Sequence, residues 1–168
     1  MPAIRPLDED AFIAALMGED ELGAVIRGHI YVEATLLTLL AGFVVSEKHL
    51  NQMGLDYFQH VNLAIALGLK VEYGPPLHAL GTLRNAFSHK LNASLSRDRV
   101  NGLYKTLSSE DRTMVQTIYE KTNRKMRQEP GTRFRNLPPK DQFILIAVAL
   151  RFMLVAAAHE LSEAGGAA

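Results

Sequence analysis

The chain has 168 residues, 48% apolar and 21% charged, enough for one globular domain with a real core and too apolar for a disordered or fibrous chain. It contains no cysteine, which excludes a disulfide framework and thiolate metal sites and fits a reducing compartment, so the cytoplasm is the expected location. The zero net charge is unevenly spread: residues 1–22 carry six carboxylates against Arg5 alone, whereas in residues 121–140 Lys121, Arg124, Lys125, Arg127, Arg133, Arg135 and Lys140 face only Glu129. That basic stretch is either a solvated helix end with its loop or a footprint for an anionic polymer.

Every long periodic segment reads as helix and none alternates like a half-buried strand, so the expectation is an all-α bundle of about six to seven helices forming a single domain over 1–168. A first helix spans Asp8 to Met17, ended near Gly18, and a second runs from about Glu19 to Val45. A short helix follows at Glu47 to Met53, then one from the acidic cap Asp56 to Leu67, closed near Gly68. Gly74, Pro75 and Pro76 break the chain and restart it, because proline is tolerated in a helix's first turn; the next helix runs from Pro76 to about Lys90. A helix near Arg97 to Leu107 precedes another that Ser108 and Asp111 open as a capping box, running to about Arg127. QEPGTRFRNLPP is a loop. The last helix starts near Pro139 and is apolar on nearly all sides through Ala158, which puts it at the centre of the bundle. Its run FILIAVALRFMLVAAA is shorter than the roughly 20 residues a bilayer needs and is interrupted by Arg151, so it reads as a core helix; no membrane association and no secretory signal are expected.

Within LRNAFSHK, residues 83–90, an arginine, an amide and a histidine stand close together. At 100° per residue Leu77, Leu80, Leu83, Phe87 and Leu91 share a stripe roughly 120° wide, with Arg84 at its edge. On the far side His78, Asn85 and His89 align within roughly 40° as a polar seam that faces water or a partner chain. From the stripe's edge the long arginine side chain reaches towards the His89 end of the seam. In the second helix the apolar stripe of Leu22, Val25, Ile26, Leu36, Leu40 and Phe43 encloses His29 and Glu33, so both are expected to point inward. A buried carboxylate without a partner is costly, and the candidates for Glu33 are His29 and Arg84. Either this is a structural buried pair, or Glu33 orients the Arg84 guanidinium beside His89, leaving donors for a phosphate.

The Arg84, Asn85 and His89 pattern, late on a leucine-striped helix that follows DYFQHVNLAIALGL and a long early helix with an inward acidic residue, resembles the HEPN superfamily (higher eukaryotes and prokaryotes nucleotide-binding domain). The resemblance covers about residues 20–95 and, more loosely, the final helix; it is nearest to the branch containing the mannitol operon repressor family. It implies a helical bundle that dimerises so that two motifs face each other across a cleft, and a metal-independent endoribonuclease without a cofactor. Carried over, His89 is the general acid or base at the ribose 2′-hydroxyl or leaving oxygen, Arg84 stabilises the phosphorane charge, and Asn85 positions substrate or histidine, with His29, Glu33 and His78 supporting. Relatives of the mannitol operon repressor act in transcriptional regulation, and many have lost the catalytic pair; this chain keeps both residues.

Two readings therefore stand. One is a homodimeric ribonuclease in toxin, defence or RNA-processing work, with Arg124, Lys125, Arg127, Arg133 and Arg135 guiding RNA and an antitoxin as a possible protein partner. The other is a non-catalytic transcriptional regulator acting through protein or nucleic-acid binding, with the seam as its dimer interface. The remaining histidines, His49, His60 and His159, complete no HExxH arrangement, and neither GxGxxG nor GxxxxGK[ST] occurs, so neither a metal site nor a phosphate loop is expected.

Overall fold

In the computed structural model, residues 9–88, 93–123, 126 and 131–165 are described. They form eight α-helices and two short 3₁₀ turns, with no strand, which is the all-α bundle expected. The helices are α1 (Glu9–Met17), α2 (Glu21–Phe43), α3 (Glu47–Gln52), α4 (Tyr57–Ala66), α5 (Gly74–Ser88), α6 (Arg97–Thr106), α7 (Ser109–Thr122) and α8 (Pro139–Gly165). The eight helices correspond to the eight segments read along the sequence, the short α3 expected at Glu47 to Met53 included, one more than the round figure of six to seven.

Local chemistry explains the boundaries. Asp20 is the cap of α2 and accepts from Gly23 N at 2.7 Å, so the helix begins at Glu21 and not at Glu19. Asp56 and Gln59 exchange reciprocal bonds as a full capping box on α4, and Ser108 with Asp111 does the same on α7. α5 starts at Gly74, so that both prolines lie in its first turn, where missing N–H groups cost nothing. α8 continues past Ala158, since HELSEA holds nothing that breaks a helix. The loop before it contains a 3₁₀ turn at Phe134–Asn136 that the sequence did not signal.

α2 and α8 are the central pair. They approach closely at Gly28, where a Cβ would lie 3.0 Å from the Phe143 ring and 3.6 Å from Ala147 Cβ. This approach turns α2 so that Ala24, Val25, Gly28, His29, Val32, Leu36, Leu39 and Leu40 are buried, while Leu22, Ile26 and Phe43 are only partly covered. Residues Phe143 through Leu150 are all buried, as expected of the bundle's axis. Both helices are long and apolar enough to cross a membrane by length and composition; in the fold half of the α2 window and two thirds of the α8 window are buried within the protein. Arg151, which interrupts the apolar run, is itself buried, with its guanidinium 5.7 Å from the Phe12 ring of α1. Around the central pair, α1 lies on both helices, α4 and α5 pack on α2, α6 packs on α5 and α8, and α7 packs on α8. Lys140 fastens the start of α8 to the α1–α2 turn by donating to Met17 O at 3.2 Å and Glu19 O at 2.7 Å.

Candidate functional site

The motif helix is held in place by its leucine stripe and by one aromatic ring. Leu77, Leu80, Leu83 and Phe87 are buried as expected; Leu91 lies outside the described residues. Gly81, on the same helix, faces Tyr57 of α4, and a Cβ there would stand 2.7 Å from two ring carbons. Tyr57 O–H donates to Leu77 O at 2.9 Å, so the ring both fills the gap left by Gly81 and bonds to the turn before it.

Arg84 comes one turn after this contact, near enough to the buried face of α2 for its charge to act on His29 and Tyr57. His29 is buried, with its ring 4.4 Å from that of Tyr57, and its Nδ1 lies 3.5 Å from a carboxylate oxygen of Glu33. Burial, and then the positive charge of Arg84, lower the His29 pKa from 6.5 to about 4. Tyr57 is raised well above the ordinary phenol range, first by burial and then by the negative charge of Glu33, with Arg84 opposing. At neutral pH the cluster therefore consists of two neutral buried rings, one anion and one cation. The Glu33 carboxylate, an acceptor only, faces Nδ1, while Nε2 is buried without a hydrogen-bond partner among the described residues.

Two expectations about this cluster are corrected. Glu33 is not fully inward: its side chain keeps 29% of its exposure, because the close approach at Gly28 rotates α2 towards Val32 and Leu39 and leaves residue 33 at the border. Nor does Glu33 grip Arg84: its carboxylate lies nearest the neutral His29 ring, 3.5 Å from Nδ1, and among the described residues Arg84 forms no ion pair. Arg84 is half-buried, and its guanidinium is paired with no carboxylate among the described residues. The polar seam is less open than its letters suggested: Asn85 and His78 are both half-buried, and the His78 ring stands edge-on to Phe58 at 5.6 Å. His89, the expected acid or base, lies outside the described residues, as do Arg124, Lys125 and Arg127 of the expected RNA-binding set.

The other two members of that set converge. Arg133 and Arg135 line a cavity of about 470 Å³ together with Tyr104, Phe134 and three amide side chains. The sequence reading missed Tyr57 and this cavity. A signal for each existed: Tyr57 heads the stripe Tyr57, Val61, Ala64, and Gln142 heads the stripe Gln142, Ile146, Ala149, Met153, which puts a polar amide at the end of a fully buried row.

Comparison of the chain with protein-family models, with curated proteins and with solved structures gives no match in any of the three. The class that the fold defines is an all-α helical bundle. Its most distinctive polar feature is the half-buried Arg84 beside the His29, Glu33 and Tyr57 cluster.

Proposed function

We propose that the chain is a metal-independent endoribonuclease of the HEPN kind, acting in the cytoplasm as a homodimer with two motif helices facing each other. The observation that supports this reading is the state of Arg84: a half-buried arginine whose charge acts on two buried rings, unpaired with any described carboxylate, has bidentate donors that a phosphate can use. His89 follows five residues later and Asn85 directly after it. In the reaction, the ribose 2′-oxygen attacks phosphorus as the bond to the 5′-oxygen breaks; His89 takes the 2′-hydroxyl proton or supplies one to the leaving oxygen. Arg84 offsets the charge that builds on the non-bridging oxygens, and Asn85 positions substrate or histidine.

The regulator reading draws support from the covered seam, since His78 against Phe58 and a half-buried Asn85 leave less room for substrate than a bare polar face. In that reading the chain acts without cleavage, through a protein or nucleic-acid partner. The deciding experiment incubates purified wild type, Arg84→Ala and His89→Ala with total RNA, with and without EDTA. Cleavage by the wild type that survives chelation and falls by about 10²-fold or more in both variants supports the ribonuclease. Equal behaviour of all three proteins overturns it.

A further inference from the structure

The cavity at Arg133 and Arg135 has a composition that its place in a basic stretch does not by itself explain. Its wall is aromatic: the Tyr104 and Phe134 rings are 5.1 Å apart and inclined by 31°, and the Arg112 guanidinium lies 5.5 Å from the Tyr104 ring, adding positive charge to the same corner. Gln142, 2% exposed, forms part of the lining, and its Nε2 donates to Phe134 O at 2.9 Å. That bond fixes the amide orientation, since a flipped amide would set oxygen against oxygen; Oε1 is consequently the atom left buried and without a hydrogen-bond partner. The acceptor capacity of this amide is therefore unfilled among the described residues. Asn101 and Gln116 contribute two more amides, and none of the lining residues among those described is acidic; Gln116 Nε2 donates to Glu120 at 3.2 Å.

The backbone here is held from several sides. Arg97 donates to Arg135 O at 2.7 Å and Leu137 O at 3.3 Å, and Tyr119 O–H donates to Thr132 O, so the two arginine side chains project from a fixed segment. Both side chains are exposed. At about 470 Å³ the cavity falls within the roughly 300–1,000 Å³ of small-ligand sites. Flat apolar rings, convergent amides and two guanidinium groups unpaired among the described residues are what a nucleotide uses: π-surface for the base, amides for its edge, arginine forks for phosphate.

We propose that this cavity binds one nucleotide unit, with the base against the Tyr104–Phe134 wall and its edge at Gln142 and Asn101, and the phosphate between Arg133 and Arg135. The same unit reaches the site as a free nucleotide or as one residue of a single-stranded RNA. A chain of cations favours continuity with the motif helix: Arg99 stacks at 5.6 Å on Phe87 near the end of α5, and Arg97, at the start of the same helix α6, holds the cavity's backbone. The strand version rests on the ribonuclease reading; the nucleotide version does not.

The test titrates the full-length protein with AMP, adenosine, inorganic phosphate and a 2′-O-methyl oligoadenylate, following binding by calorimetry and the Tyr104 and Phe134 ring resonances by NMR. A 2′-O-methyl strand cannot be cut through its 2′-oxygen, so absence of ribonuclease activity leaves this measurement intact. AMP is expected to bind more tightly than phosphate or adenosine and to shift both rings, and Arg133→Ala/Arg135→Ala is expected to weaken it by about ten-fold or more while sparing adenosine. The two side chains are exposed and hydrogen-bond to nothing described, so the double variant keeps the fold, as a thermal melt verifies. A strand that binds more tightly than AMP and depends on the same arginines identifies RNA as the source; AMP binding at least as tight as the strand identifies the free nucleotide. Phosphate that matches AMP, or wild type that binds neither AMP nor the strand, overturns the proposal.

Discussion

Acidification offers a direct measure of how the His29 environment is built. The imidazole has a pKa of about 4 in the folded chain against 6.5 when unfolded, with burial the larger cause and Arg84 the second. The folded value is depressed, so between these limits the unfolded chain binds the proton that the folded chain refuses. Stability is therefore fully present above about pH 6.5 and declines as pH falls towards 4. Integrating the two titrations to about pH 4.5 gives a loss of about 2.5 kcal/mol from this one ring, a large part of the stability of an ordinary domain. The assay is urea denaturation at several pH values between about 7.5 and 4.5, on wild type and on His29→Phe, which keeps a ring beside Tyr57 and removes the titration. Other groups titrate alike in both proteins and cancel in the difference. The wild type should lose about 2.5 kcal/mol more than the variant across that interval. Parallel losses would show that the buried imidazole does not resist protonation and would refute the reasoning.

Two further expectations follow from the same cluster. Gly81→Ala drives a Cβ to 2.7 Å from a Tyr57 ring that cannot swing away, because its hydroxyl is bonded to Leu77 O; overpacking of about 1–3 kcal/mol outweighs the gain of about 1 in helix propensity, and the melting temperature should fall by a few degrees. Arg84→Gln removes a neighbouring cation, so an NMR titration should find the His29 pKa above its wild-type value of about 4 yet still below 6.5, since burial is the larger cause; an unchanged value would place the guanidinium away from the imidazole.

The fold was largely legible because helix period and caps act locally. Leu77, Leu80, Leu83 and Phe87 revealed a buried face by spacing alone, and Ser108 with Asp111 marked a helix start that the structure reproduces. The orientation of α2 was less legible. Its stripe, read from large apolar residues, treated Gly28 as neutral, whereas that glycine is where Phe143 enters and turns the helix, moving Glu33 from the core to its edge. The Tyr57–Gly81 contact joins residues on two helices, and the cavity at Gln142 assembles side chains from α6, α7, the loop and α8; the stripes that Tyr57 and Gln142 head show that each is buried, but not which residues of other elements they meet. His89 lies outside the described residues, so the site is traced from its arginine end.

That arginine end has a logic that a buried Glu33–Arg84 pair would lack. Desolvating an ion pair costs more than desolvating neutral rings, and here the two rings that are buried, His29 and Tyr57, are both held neutral, while the charged groups beside them, Glu33 and Arg84, retain contact with solvent. Glu33 lies beside His29 Nδ1 and not against Arg84, which has no ion pair among the described residues. Under the proposed reading, a guanidinium so placed has donors available to a phosphate. Had the carboxylate closed on the arginine, an RNA phosphate would first have to break a salt bridge, and the motif would read as scaffold; the observed division of charge is the physical reason to read it as a binding site.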